Sequence, residues 1–369
     1  MRNRSAIGAL LLSVVLAAGP AWGGSVLMIS IDGLSPEYIL HADAHHLRVP
    51  TLRRFLTEGA YAEGVIGVVP TVTYPSHTTL VTGVWPAEHG IDANVTFEPL
   101  LAIESWNWYA GDIKAPTLWD AASQAGIVTA SVSWPVTVGA TSIKYLIPEY
   151  WRTRTYNDRQ LLEALSRPDG WLRRAEQKLG PYNESSDQGV GGDQVRTKFS
   201  IEILRSEKPG FMTIHLAALD HLEHETGPFS KESDETVEAE DEMISKLAAA
   251  ALANDPSTSV VVVSDHCFIP VERHINLLLP FIKEGLIQLK SPANSSGAAR
   301  ISSWDAGFWP AGGSAAVMLR DPNDAATKER VRNLLMKMKD DPTYEIVACW
   351  NSPKSRKKAV FPGRPSWWK

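Results

Sequence analysis

Three aspartates stand at or just beyond the ends of apolar segments that have the composition of buried β-strands. Asp32 directly follows residues 25–31. Asp220 lies just past residues 211–216, and Asp265 follows a run of four valines. Short apolar runs of this kind are typical of parallel strands that are covered on both faces. Because open α/β sheets place ligand sites beyond the carboxyl ends of such strands, we expect the three carboxylates to converge.

Helical segments alternate with these strands, and the alternation predicts an α/β fold with a mainly parallel central sheet and helices on both faces. The chain of 369 residues is long enough for one large domain, which we expect to occupy residues 24–369. Two segments fit the alternation poorly, and we expect them to form cap insertions or substrate-side loops around residues 95–115 and 135–192. The predicted helices are residues 50–58, 76–81, 117–125, 157–179 and 230–253.

The first 23 residues have the pattern of a secretory signal peptide. Arg2 and Arg4 precede an apolar run at residues 6–18, and the small residues Ala21 and Gly23 follow. The apolar run is too short for a comfortable membrane span, although an uncleaved N-terminal anchor is the alternative. We therefore expect a periplasmic or secreted protein with no stable membrane span after cleavage.

The net charge limits the classes of ligand that the protein is expected to bind, and the cysteine count limits its disulfides. The formal net charge of −6 argues against nucleic-acid duplexes as partners. It does not exclude a small phosphate ester, because bound metal ions can supply the local positive charge. Cys267 and Cys349 are the two cysteines, and the sequence leaves open whether they form a disulfide or remain two unpaired, buried thiols.

Two pairs of residues have the spacing of metal ligands. Asp220 and His224 are four residues apart, so one helical turn would place both side chains on the same face. Asp265 and His266 are adjacent at a strand end, where the chain leaves the sheet and both can point to one ion. Each pair also has an ordinary interpretation, namely a solvated charged turn for the first and an Asx-type turn for the second. Asp32 followed by glycine is by itself also a common turn signal.

Thr73 is the candidate nucleophile. It precedes Tyr74, Pro75 and a predicted helix start at Ser76. A threonine hydroxyl needs a metal or a base to become a good nucleophile, and a helix N-terminus would favour a phosphate opposite it. The alternative is that these residues only form a turn. His77 and His89 are interpreted as structural side chains near the site.

The order of these motifs resembles the alkaline phosphatase superfamily, and specifically its nucleotide pyrophosphatase/phosphodiesterase branch. The similarity is strongest in residues 70–77 (PTVTYPSH), continues through residues 86–91 (PAEHGI) to Asn94, and extends from about residue 26 to about residue 319. It implies an alkaline-phosphatase-like fold and hydrolysis of phosphodiester or nucleotide pyrophosphate bonds. It also implies two zinc ions and a phospho-threonine intermediate on Thr73.

The resemblance also implies a role for each matching residue. Asn94 would donate to a phosphoryl oxygen, and Tyr74 would lie against the leaving group or a base. Asp220 and His224 would hold the second zinc. The first zinc would be held by Asp32, Thr73, Asp265 and His266.

Three features depart from the family pattern, the first being Cys267 at a position where the family usually has glycine. The family supplies a further histidine to the second zinc from a C-terminal Gly-x-His-Gly segment, but here the last histidine, His274, follows His266 too closely to take that place. Residues 349–369 are basic and atypical, so we expect a C-terminal end that is shortened or read in another frame. Two ligands are fewer than the usual four, so the second zinc site is expected to bind more weakly.

The substrate is expected to be a small phosphate ester, such as a nucleotide or a lipid headgroup. A phosphomonoester has more charged oxygens than a diester, and enzymes that bind it tend to supply a lysine or arginine for them. Residues 134–137 contain neither, which favours a diester, although Lys144, Arg152 and Arg154 lie nearby in the sequence. Three alternatives remain: a phosphomonoesterase, a weakly active phosphoester-binding remnant, and a sulfatase. The chain lacks the Cys/Ser-x-Pro-x-Arg pattern of sulfatases. Oligomeric state is not readable from the sequence.

Overall fold

The structure, a computed structural model, describes residues 23–100, 105–150, 158–182, 188–290 and 300–349. The predicted signal peptide and the atypical C-terminal segment lie almost entirely outside these residues. No helix in the described part of the chain is long and apolar enough to cross a membrane.

A parallel sheet forms the centre of the molecule. Its strands are β1 (Val26–Ile31), β2 (Thr129–Val132), β3 (Tyr145–Ile147), β4 (Phe211–Leu216) and β5 (Ser259–Val263). They lie in the order β3-β2-β4-β1-β5, and every neighbouring pair is parallel. The predicted fold class is confirmed, and β1 is an interior strand between β4 and β5.

Helices cover both faces of this sheet. The helices are α1 (Glu37–Leu40), α2 (Pro50–Glu58), α3 (Thr73–Thr82), α4 (Pro86–His89), α5 (Leu118–Gln124), α6 (Asp158–Leu165), α7 (Trp171–Leu179), α8 (Val190–Glu207), α9 (Ala218–Thr226), α10 (Lys231–Asn254), α11 (Leu278–Lys283) and α12 (Ala325–Asp340).

Alternate side chains of β1 belong to two different cores, as the period of two in a strand requires. Leu27 and Ile29 pack in a large core with α2, α8 and α10. Val26 and Met28 pack instead against a second core that contains Val81 of α3. The sheet therefore separates two hydrophobic layers, and its carboxyl edge is left free for polar side chains.

A smaller unit follows β5. It contains two antiparallel pairs, β6 (Ile287–Lys290) with β7 (Arg300–Trp304), and β8 (Ala306–Ala311) with β9 (Ser314–Leu319). Phe281, Ile287 and Val331 join α11, β6 and α12 in a core of their own. These hairpins were not predicted from the sequence.

Three local expectations were wrong. Residues 157–179 do not form one helix, because Pro168 has no N–H to donate and separates α6 from α7. α3 begins at Thr73 and not at Ser76, since a proline in the first helical turn costs no intrahelical bond. The valines of β5 are only half-buried, because β5 is an edge of the sheet among the described residues.

Asp241 of α10 ties α2 to the core. It is buried, and its carboxylate accepts hydrogen bonds from the backbone N–H groups of Thr51 (3.0 Å) and Leu52 (2.7 Å), which lie in the first turn of α2. These are charge-assisted bonds to N–H groups that have no partner inside the helix.

We expect Asp241→Ala to lower the free energy of unfolding by about 2–3 kcal/mol in urea titrations, because buried N–H groups lose a charged acceptor. Glu238→Ala is the matched control, since Glu238 lies one turn earlier on α10 but pairs at the surface with Arg48. The free energy of unfolding of Glu238→Ala should fall by much less than that of Asp241→Ala. Equal losses in the two variants would show that the buried bonds contribute nothing special.

Candidate functional site

One open cleft at the carboxyl edge of the sheet contains every residue that the sequence analysis singled out for the site. The cleft has a volume of about 3190 Å³. This is larger than the ~300–1,000 Å³ of a typical small-molecule pocket, so its size does not identify a ligand. The candidate residues that line it are Asp32, Thr73, Tyr74, Asn94, Asp220, His224, Asp265 and His266.

Strand register brings the carboxylates together. Ile31 of β1 is level with Leu216 of β4, and Ser30 is level with the last residue of β5. The next residues along β1 and β5 therefore leave the sheet at the same height. Gly33 N–H donates to Asp265 Oδ1 over 3.3 Å, which joins the two loop starts directly.

Asp32, Asp265 and His266 form a compact group whose ligand atoms lie within 4.8 Å of one another. The Nε2 atom of His266 is 3.4 Å from Asp32 Oδ1 and 3.3 Å from Asp265 Oδ2. Both of these carboxylate oxygens are buried and accept no hydrogen bond from the described residues. Two orphaned acidic oxygens beside an imidazole are the donor set of a divalent cation, so the group fits a zinc ion.

The pKa values of the two carboxylates in this group shift in opposite directions. Burial, together with the nearby Asp265 and Asp220 carboxylates, raises the pKa of Asp32 well above its ordinary value. Burial would also raise the pKa of Asp265, but His266, His77 and His215 lower it below its usual range. Like charges held close together in a buried place separate the pKa values of a pair.

Asp220 and His224 lie on α9 with the predicted one-turn spacing. Asp220 Oδ1 is 3.6 Å from His224 Nε2 and 3.9 Å from His266 Nε2, so Asp220 connects the two predicted ion positions. The His224 side chain is 66 % exposed and its ring contacts Phe268. It therefore faces the open side of the cleft, where an imidazole is free to bind a ligand.

Thr73 is the first residue of α3, and neighbouring side chains fix its backbone. The His77 Nδ1–H donates to the Thr73 carbonyl over 2.9 Å, and His77 Nε2 accepts from Ser30 Oγ over 2.8 Å. Burial lowers the pKa of His77 to about 4, so this imidazole is neutral and structural, as expected. His89 is also fully buried and its Nε2 is 3.0 Å from Thr79 Oγ1.

Asn94 and Tyr74 lie beside this helix start. Asn94 Oδ1 accepts the Tyr74 backbone N–H over 2.9 Å, which leaves the Nδ2 group as the donating end of the amide. The Tyr74 side chain is only 1 % exposed, and its hydroxyl donates to Glu149 Oε1 over 2.7 Å. Its ring packs against Trp106, so this side chain belongs to a small aromatic core.

Four polar side chains that surround the site were not predicted from the sequence. Ser30 and His215 lie inside strands, and each contacts a candidate residue or its neighbour. Glu149 and Glu223 are buried carboxylates at the same edge. A polar residue inside an apolar strand needs a partner, and this was the signal that could have pointed to Ser30 and His215.

Cys267 and Cys349 do not form a disulfide, and both are exposed. The interpretation as two unpaired thiols holds, although the thiols are not buried.

Glu223 lies between the two candidate ligands of α9, and its pKa gives a testable pH dependence. Burial, the first cause, and the nearby Asp220 carboxylate raise its pKa from 4.5 to about 7, while the Tyr38 hydroxyl donates to Glu223 Oε1 over 2.7 Å. The folded state therefore binds the extra proton between about pH 4.5 and pH 7, and the stability that this proton gives is lost as the pH rises through about 7.

We expect the free energy of unfolding of metal-free Glu223→Gln to rise relative to that of the unmodified chain by about 2 kcal/mol as the pH is raised from 5 to 8. The reason is that the glutamine amide never has to ionise in the core. Urea unfolding at the two pH values measures the difference. If the two proteins show parallel pH profiles, Glu223 does not titrate in this range.

Comparisons with known proteins identify the family of this chain. The profile of the family "Type I phosphodiesterase / nucleotide pyrophosphatase" matches residues 26–360. The human ectonucleotide pyrophosphatase/phosphodiesterase family member 1 is 25 % identical over 256 residues, which are 65 % of this chain and 23 % of that protein. The chain thus spans about a quarter of the length of this curated relative.

Solved structures share the fold. The phosphonoacetate hydrolase of Sinorhizobium meliloti, in complex with phosphonoacetate, aligns with a TM-score of 0.58 and 20 % identity over 87 % of this chain and 74 % of that one. An inactive threonine-to-alanine variant of murine ectonucleotide pyrophosphatase/phosphodiesterase 5, in complex with AMP, aligns with a TM-score of 0.54 and 18 % identity over 84 % and 69 %. With a family match over most of its length, the chain belongs to the type I phosphodiesterase/nucleotide pyrophosphatase family.

Proposed function

We propose that this protein is a zinc-dependent hydrolase that cleaves phosphodiester or nucleotide pyrophosphate bonds, with Thr73 as its nucleophile. One observation carries the proposal. The unpartnered oxygens of Asp32 and Asp265 lie beside His266 in the cleft that Thr73 also lines. Buried acidic oxygens without donors among the described residues indicate an ion-binding place, and the hydroxyl indicates chemistry next to it.

The side chains of the chain would divide the reaction between them. Thr73 Oγ1 loses its proton to water and attacks phosphorus in line, and the bond to the leaving oxygen breaks as the bond to threonine forms. The oxygen of a water molecule then attacks phosphorus, the bond to Thr73 Oγ1 breaks, and Oγ1 takes up a proton again. Asn94 donates from Nδ2 to a phosphoryl oxygen, because its Oδ1 is already held by the Tyr74 backbone.

Asp32, Thr73, Asp265 and His266 would hold one zinc ion, and Asp220 and His224 a second. When bound, such ions polarise the phosphoryl oxygens and lower the pKa of a hydroxyl or of water. Asp220 Oδ1 lies between the two groups, which suits a shared site. The murine relative that holds AMP, and whose threonine-to-alanine variant is called inactive, supports a nucleotide substrate and a threonine nucleophile.

The predicted signal peptide supports a periplasmic or secreted location. The human relative is named an ectonucleotide enzyme, which is consistent with this location.

Replacing Thr73 tests the mechanism. We expect Thr73→Ala to lower kcat by at least about a thousandfold, because no other hydroxyl attacks phosphorus. The matched control is Thr71→Ala: Thr71 lines the same cleft, but its hydroxyl donates to the Val68 carbonyl. The control should stay within a few-fold of the unmodified enzyme, and full activity in Thr73→Ala would remove the proposed nucleophile.

Substrate class is tested by comparing a nucleotide nitrophenyl diester with nitrophenyl phosphate. Residues 134–137 are buried and do not line the cleft. We expect the diester to have the higher kcat/KM, because none of the eight candidate site residues is a lysine or arginine that would pair with the extra charge of a monoester. Chelation should abolish both activities, and added zinc should restore them. A faster monoester reaction would assign the protein to the phosphomonoesterases.

Asn94→Ala tests the oxyanion role. Loss of one aligned donor should reduce kcat by about a hundredfold or more and change KM little. Zinc content, measured by mass spectrometry, should not change, because Asn94 is not a proposed ligand. A reduced zinc content would mean that Asn94 supports the site in another way.

Phosphoester binding without turnover is a second candidate, and one observation favours it. Among the described residues the structure shows no third ligand grouped with Asp220 and His224, and His224 is largely exposed. This candidate predicts one tightly bound zinc, phosphate binding, and no phospho-enzyme on Thr73. Turnover with two zinc ions per chain would exclude it.

A further inference from the structure

Buried hydrogen bonds connect the start of α3 to Asp32. The Tyr74 hydroxyl donates to Glu149 Oε1 over 2.7 Å. The other oxygen of Glu149 is 3.0 Å from His215 Nδ1, and His215 Nε2 is 3.0 Å from Asp32 Oδ2. All four residues are at most 7 % exposed. The path therefore crosses the core from the first turn of α3, which carries the proposed nucleophile Thr73 and is called here the nucleophile turn, to the proposed zinc ligand Asp32.

His215 holds one oxygen of Asp32 and leaves the other for the ion. Both ring nitrogens of His215 are engaged, so this histidine is not placed to be a ligand itself. Its Nε2–H donates to Oδ2, whereas Oδ1 points towards His266 and has no hydrogen-bond partner in the described part of the chain. A carboxylate fixed at one oxygen presents the other in a defined direction.

A second branch of the same network reaches α9. His215 Nδ1 is also 3.0 Å from the Ser133 carbonyl, and Ser133 Oγ accepts from Arg196 Nε over 3.0 Å. Arg196 pairs with Asp193 over 2.5 Å.

Asp193 holds the first turn of α9. Its carboxylate accepts the backbone N–H groups of Ala217 (3.1 Å) and Ala218 (2.8 Å). α9 carries Asp220 and His224, so one continuous network touches the elements that bear both proposed zinc sites.

We propose that His215 and Glu149 are positioning residues for the zinc site, acting by orienting the Asp32 carboxylate and by tying it to the α3 nucleophile turn. The inference rests on the proposed function. It is distinct from a merely structural role, because a structural network would support the fold without setting the affinity for zinc. Outer partners of metal ligands usually change metal affinity by ~10–100-fold when they are lost.

Two substitutions of His215 separate the roles of its nitrogens. In His215→Gln the side-chain N–H₂ reaches the place of Nε2 and can still donate to Asp32. In His215→Asn the shorter side chain places its amide near Nδ1 and cannot. Chelator competition with the metal-free full-length chain should show a loss of zinc affinity of ~10–100-fold for His215→Asn and a much smaller loss for His215→Gln.

Glu149 gives an independent pair. Glu149→Ala should lower zinc affinity, and Glu149→Gln should recover most of it, because the amide can keep both contacts while the Tyr74 hydroxyl accepts as well as donates. The control is Glu176→Ala. Glu176 is an equally buried carboxylate on α7 that accepts from Arg159 and from the Tyr182 backbone, away from the site.

Thermal unfolding of the metal-free variants completes the test. All of these variants are expected to lose stability, but only His215→Asn and Glu149→Ala should lose zinc affinity beyond this. Equal zinc affinity in His215→Asn and the unmodified protein, or an equal loss in Glu176→Ala, would overturn the inference. Zinc binding with no ester hydrolysis would overturn the proposed function alone, and a chain that binds no zinc would overturn both.

Discussion

The repulsion between two buried carboxylates is the constraint on which the site depends. Asp32 and Asp265 leave adjacent strands at the same level, and each has an oxygen without a hydrogen-bond donor among the described residues. Bringing two anions together out of water is costly, and a bound cation or a proton must offset the cost. The surrounding side chains reflect this need, because His266, His77 and His215 all approach the pair.

The histidines around this pair of carboxylates differ in charge and in role. His77 is kept neutral by burial and fixes the first turn of α3. Burial also acts against a charge on His215, yet its hydrogen bonds with Asp32 and Glu149 raise its pKa well above the ordinary value. One imidazole therefore supports the backbone that presents the hydroxyl, and the other offsets the charge of two carboxylates that are almost entirely buried.

Sequence reasoning reached the parts of the structure that follow from local rules. Apolar runs marked β1 and β4, and an aspartate at or just beyond each strand end marked the cleft, because parallel strands leave a sheet at one edge. It failed where contacts between residues that are far apart in the sequence determine burial or the position of a side chain. Four valines were interpreted as a fully buried strand, but the burial of β5 depends on what pairs with its outer edge. Glu149 could not be found from the sequence, since only the fold places it opposite His215.

The proposed ion ligands come from segments that are far apart in the chain, and the sheet alone brings them together. Asp32 follows the first strand, whereas Asp265 and His266 follow the fifth. An unfolded chain cannot offer this set of donors at one point, so an ion would bind the native state almost exclusively. By mass action, occupancy would then stabilise the whole sheet in proportion to the logarithm of the free ion concentration. Depletion of metal would consequently first lower the thermal stability of the core and speed degradation by proteases, even in molecules that meet no substrate.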